Sequence, residues 1–111
     1  MLVGIVQQNH QLMVENKVSV FFHGHDHFFG KQDKDGVVYQ AVPQPSSRNI
    51  NKITGTAYGY KEGVLMAGRG YMLVHVSSNE TKIEFIRTYL PNEENAGRKN
   101  GEVAYSYTLK N

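Results

Sequence analysis

VSVFFHGHDHFFGK, Val18 to Lys31, holds three of the chain's five histidines, spaced at every second position directly after an apolar run. The run Val18–Phe22 is short, β-branched and apolar on both faces. That pattern predicts a central strand buried from both sides. On an extended chain His23, His25 and His27 would point to one side. Two imidazoles at i and i+2 can share a metal, because their β-carbons lie roughly 6–7 Å apart at the strand rise. Gly24 would let the backbone turn and approach a metal or phosphate closely. Asp26 would accept a hydrogen bond that fixes an imidazole tautomer. Residue type and spacing alone leave a second reading open, in which the histidines are polar surface residues just beyond a strand end.

Working outward, Leu2, Ile5, Val6, Leu12 and Met13 fall near one helical face and predict a helix over residues 2–15, with Asn16 as its stop. Residues 32–36 (QDKDG) read as a turn, with Asp35-Gly36 the hairpin cue, and residues 37–42 as a strand. Pro43 to Gly70 carries two of the three prolines and five of the eleven glycines, predicting one long loop. Strands follow at 71–76, 82–89 and 102–109. Ser77–Glu80 joins the first two, and Val103, Tyr105, Tyr107 and Leu109 share one face of the last. The expectation is one helix and about five strands, an α+β, mostly β fold forming a single unit over 1–111.

Composition narrows the function classes. The 111 residues allow one domain with a real core. Twelve basic and ten acidic residues, interspersed and summing to +2, argue against nucleic acid or an anionic membrane as partner. No stretch approaches membrane-spanning length. The N-terminus shows no charged, signal-type leader, and localisation stays open. Without cysteine there is neither a disulfide framework nor a thiolate metal site, so any metal must be held by His, Asp, Glu or Asn.

An apolar strand running into Gly-His-x-His (Gly24–His27) resembles the last metal-binding motif of the calcineurin-like metallophosphoesterases. The following FFGKQDKDGVVYQAVPQP is similar to bacterial members that resemble purple acid phosphatases. YGYKEGV, GRGYMLVHVS, IEFIRTYLP and NGEVAYSYTL fit the C-terminal strands of that group. The resemblance spans nearly the whole chain, yet matches only about the last third of a family catalytic domain. It implies the C-terminal part of an αββα sandwich whose intact parent hydrolyses phosphate esters with two divalent ions (Mn, Fe, Zn or Ni). By the family pattern His25 matches the ligand of the second metal and His27 that of the first. His23, Gly24 and Asp26 would line or support the site. The earlier family blocks (Asp-x-His, Gly-Asp-x-x-Asp, Gly-Asn-His-acid and an isolated His) are absent, so no catalytic acid or base is identifiable. This chain would hold at most one ion, weakly, and would not turn over substrate alone.

Other residues carry weaker signals. Arg69, between two glycines, could meet an anion, and Tyr58 and Tyr60 could line a substrate mouth; a plain turn and plain packing are the competing readings. Asp33 and Asp35 read as a solvated turn, His10 as a helix-face residue, and His75 as a structural histidine within a strand. A non-enzymatic β-rich binding or assembly domain is the alternative to the phosphoesterase. A cupin-like barrel is disfavoured, because Lys31, Gln32 and Asp33 stand where a glutamate would be needed. A sandwich missing its upstream half would leave Val18, Val20, Phe21 and Phe22 at an open edge, favouring a two-fold dimer there.

Overall fold

The computed structural model describes residues 7–46 and 63–111. It is α+β and mostly β, as expected. Helix α1 (Gln7–Glu15) is followed by β1 (Val20–His23), β2 (Phe29–Lys34), β3 (Val37–Ala41) and β4 (Val64–Met66), then by β5 (Gly70–Val76), β6 (Glu80–Arg87) and β7 (Val103–Lys110). The first four strands form a sheet in the order β1-β3-β2-β4, with β1 parallel to β3 and the other pairs antiparallel. The last three form an antiparallel meander.

Neighbouring residues of β3 show how the layers stack. Tyr39 meets His10 of α1, while the Tyr107 hydroxyl of β7 donates to Gln40 Oε1 at 2.8 Å. Successive strand residues face opposite sides, so the helix lies on one face of the first sheet and the meander on the other. Phe29 stacks on Phe85 at 5.0 Å between centroids and tilts against Tyr105 at 5.5 Å. Phe28, Phe29, Val37, Val38, Tyr39, Ala41, Ile83, Phe85 and Ile86 make up the buried apolar core. Gln40 is buried with them. Its amide donates to the Ala41 and Gly30 carbonyls and its oxygen accepts from Tyr107, so the polar group is satisfied at the sheet–sheet seam.

Several expectations need correction. Leu2, Ile5 and Val6, like Tyr58 and Tyr60, lie outside the described residues. Asn16 caps α1 through its side chain (2.8 Å to the Leu12 carbonyl). The reversal itself is made by Lys17 at φ 55°, with Val18 N–H bonded to Met13 O and Lys17 N–H to Val14 O. That pair of bonds is the Schellman pattern, here without glycine. β1 is not central: among the described residues only β3 lies beside it, and Phe21 and Phe22 are exposed. The stretch read as a turn at 32–36 is strand as far as Lys34. Pairing with β3 carries its polar residues to the tip, and Asp35-Gly36 alone turns, both at positive φ. That geometry is the mirror-image turn that matches strand twist. The long loop is interrupted by β4, which adds to β2 as an edge strand too short to stand out in sequence. Among the described residues seven strands therefore replace the expected five or so. In β7 a register shift opposite Phe85/Ile86 breaks the predicted alternation, so Val103 is exposed while Tyr105 and Tyr107 pack.

Candidate functional site

The histidine cluster sits in the connection between β1 and β2. β1 ends at His23, so the side chains do not continue along one extended strand. His23 is half-buried and stacks on Phe21 (6.1 Å, 20° between planes). Burial holds its imidazole below the ordinary value, against the raising influence of the Asp26 carboxylate. Burial thereby favours the neutral form of His23. Its carbonyl accepts from Val42 N–H at 2.8 Å, tying the end of β1 to the end of β3.

Beyond His23 the turn alternates. His25 and His27 are exposed; Asp26 and Phe28 are buried. Phe28 closes over Gly30, where an added Cβ would come within 2.8 Å of its ring. That packing fixes the turn from beneath. Asp26, whose side chain is 0% exposed, lies 3.2 Å from His25 Nδ1 through Oδ1, while the His25 ring is 77% exposed. With the carboxylate as acceptor, Nδ1 carries the proton and Nε2 the lone pair. His25 and His27 both take positive φ, 93° and 59°. Side chains other than glycine adopt such values at a cost, and they cluster where a turn is held for a purpose. Gly24 is not the residue that bends: its φ is not positive, and a Cβ there would meet nothing within 4 Å among the described residues. The expected sharp turn at Gly24 is thus displaced onto the two histidines, and Gly24 leaves open space beside them.

Arg69 is buried and ion-paired with Glu93 of the 3₁₀ turn Pro91–Glu93. Glu93 also accepts the Leu90 N–H at 2.6 Å. The Gly-Arg-Gly triplet is therefore anchored to the 91–93 turn. His75 bonds Glu84 on the adjacent strand at 2.7 Å and stays exposed. Asp33 lies in β2, 2.7 Å from Lys31 Nζ.

One cluster has no signal in sequence. His10 Nε2 is 2.8 Å from Asp35 Oδ2, and its Nδ1 bonds the Tyr39 hydroxyl. These residues stand 25 and 29 positions from His10, so only the docking of α1 brings them together. Burial, helped by Asp35, raises the Tyr39 phenol. That keeps it protonated, a donor to the helix and not a nucleophile.

Among the described residues no three His, Asp or Glu side chains converge as a metal-binding group. The chain matches no protein-family model and no curated protein.

Proposed function

We propose that this chain is the C-terminal segment of a binuclear metallophosphoesterase domain, contributing His25 and His27 as imidazole ligands. The observation that carries the reading is the Gly24–His27 turn: two exposed histidines at positive φ, one oriented by a buried carboxylate, beside a glycine with no described residue within 4 Å of where its Cβ would be. These features suit the share of a metal centre that one loop supplies. They do not suit a complete centre, since no bridging carboxylate joins them among the described residues, and no reaction step is assigned to the chain alone. Two divalent ions, when bound, supply an acidified water and neutralise charge on the phosphoryl oxygens. The chain's own part is narrower. Asp26 fixes the His25 tautomer so that Nε2 is the ligating atom. Phe28 anchors the turn, and Gly24 leaves room for a metal or phosphate oxygen.

The test has two arms. The 111-residue chain should bind at most one equivalent of Mn, Fe, Zn or Ni weakly, shifting the His25 and His27 ring resonances. It should not hydrolyse p-nitrophenyl phosphate or its diester. A longer parent carrying the upstream ligand blocks should hydrolyse one or both esters and lose activity in the His25→Ala/His27→Ala variant. A parent that binds metal and turns over without either histidine would overturn the proposal. So would an isolated chain whose metal-dependent turnover disappears in the double variant, because its site would then be complete.

A further inference from the structure

Strand β5, GYMLVHV, has a neighbour on one side only among the described residues. Its ladder with β6 is bracketed by two bonds, Ser77 N–H to Glu80 O and Thr88 N–H to Arg69 O, both 2.9 Å. In an antiparallel pair alternate residues exchange both backbone bonds. The printed register therefore makes Tyr71, Leu73 and His75 the residues bonded to β6. Gly70, Met72, Val74 and Val76 direct their N–H and C=O groups to the open edge.

The other edges are protected or short. β1 has four residues and β4 three. β7 contains the irregularity, at Ala104, and carries Ser106, Thr108 and Lys110. β5 has no Lys, Pro or bulge, and Tyr71, Leu73, Val74 and Val76 are all exposed, Val76 at 74%. A long apolar edge with no such protection is a template for strand addition.

We propose that β5 pairs antiparallel with β5 of a second copy of this chain, across a two-fold axis at Leu73, joining two three-stranded meanders into one six-stranded sheet. The strand is self-complementary in that register. All seven residues find partners, and the open-edge groups fall opposite one another: Met72 against Val74, and Gly70 against Val76. Tyr71 meets His75 in the other copy, and Leu73 meets Leu73. No like charges oppose each other, since the strand has no carboxylate or ammonium. The inference is independent of the phosphoesterase reading and places the contact at β5, not at the β1 edge that a missing upstream half would expose. One strand pair is small beside a standard interface of about 1,600 Å², so association is weak and rises with concentration.

Sedimentation equilibrium across the micromolar range reads the result. The mass should climb from the 12.5 kDa chain toward twice that value. Leu73→Lys should hold it at the single-chain mass. In one copy the new ammonium sits opposite Glu84, a favourable pair, but at the axis two ammonium groups collide. Val74→Pro, which deletes only an outward N–H, should do the same with an unchanged circular dichroism spectrum. Phe22→Lys at the β1 edge should leave the dimer intact. Leu73→Cys, in a chain otherwise free of cysteine, should form a disulfide-linked dimer under an added oxidant. Directly opposed residues in a non-bonded pair have Cα atoms about 4.5 Å apart, within disulfide range. A wild-type chain that stays at single-chain mass, or a dimer that survives Leu73→Lys and dissociates with Phe22→Lys, would overturn the proposal. A monomer that captures only a foreign extended peptide at β5 would overturn it as well.

Discussion

His25 and His27 hold backbone conformations that glycine holds without strain. A non-glycine residue there costs about 1–2 kcal/mol, partly offset by the extra freedom glycine has in the unfolded chain. His25→Gly should therefore raise unfolding stability by about 0.5–1 kcal/mol in urea titration while removing a metal-responsive ring. A loss of stability would mean that the imidazole and its 3.2 Å contact to Asp26 hold the turn, and that the positive φ is no strain. The His-x-His spacing was legible because residue type and order are local. The bend at His25 and His27 instead of Gly24 was not. It follows from Asp26 and Phe28 being drawn inward by the packed sheet, which leaves the intervening residues to absorb the reversal.

Among the elements, β5 is fixed at its start by Gly70, where an added Cβ would lie 2.0 Å from the Ile86 carbonyl oxygen. That neighbour is backbone and cannot rotate aside. Gly70→Ala should cost about 1–3 kcal/mol, whereas Gly24→Ala, with open space around it, should leave the urea midpoint nearly unchanged. Equal effects at the two positions would contradict this account. The 91–93 turn is tied to the same end of β5 by Glu93. Its carboxyl is held below the ordinary 4.5, first by the Leu90 N–H and then by Arg69. As pH falls the unfolded chain takes up that proton first. The contribution is therefore whole above pH 4.5 and drains away below it. The gap in melting temperature between wild type and Glu93→Gln should narrow as pH drops below 4.5; a gap constant down to pH 3 would rule the ion pair out as its source. Strand periodicity found β5, β6 and β7 within a few residues, because each is a run of β-branched, aromatic and other apolar residues bounded by turn residues. It missed β2 and β4, whose glycine-broken, polar or brief sequences become strand only by adding to a ladder.

For the molecule as a whole, the two sheets meet through the Phe29–Phe85 stack and the Tyr107–Gln40 hydrogen bond. Tyr107→Phe would leave the fully buried Gln40 oxygen without its donor, and should cost about 1–3 kcal/mol. If Gln40→Met with Tyr107→Phe restored stability beyond the single variant, the seam would depend on polar satisfaction; no recovery would place the loss in packing alone. The helix–sheet contact rests on a comparable polar knot, His10 with Asp35 and Tyr39, because the helix leaves Leu12 and Val14 exposed. The amino-acid order by itself determined the fold class, the Asp35-Gly36 hairpin, the Ser77–Glu80 turn and the clustering of histidines after an apolar strand. Each depends on residues within a few positions of one another, where backbone preference and side-chain alternation act directly. Only the tertiary structure decided that Arg69 joins Glu93, that His10 meets Asp35 and that β5 has one neighbouring strand among the described residues. Those outcomes depend on which surfaces are covered by residues far away in the chain, and coverage, unlike periodicity, has no local signature.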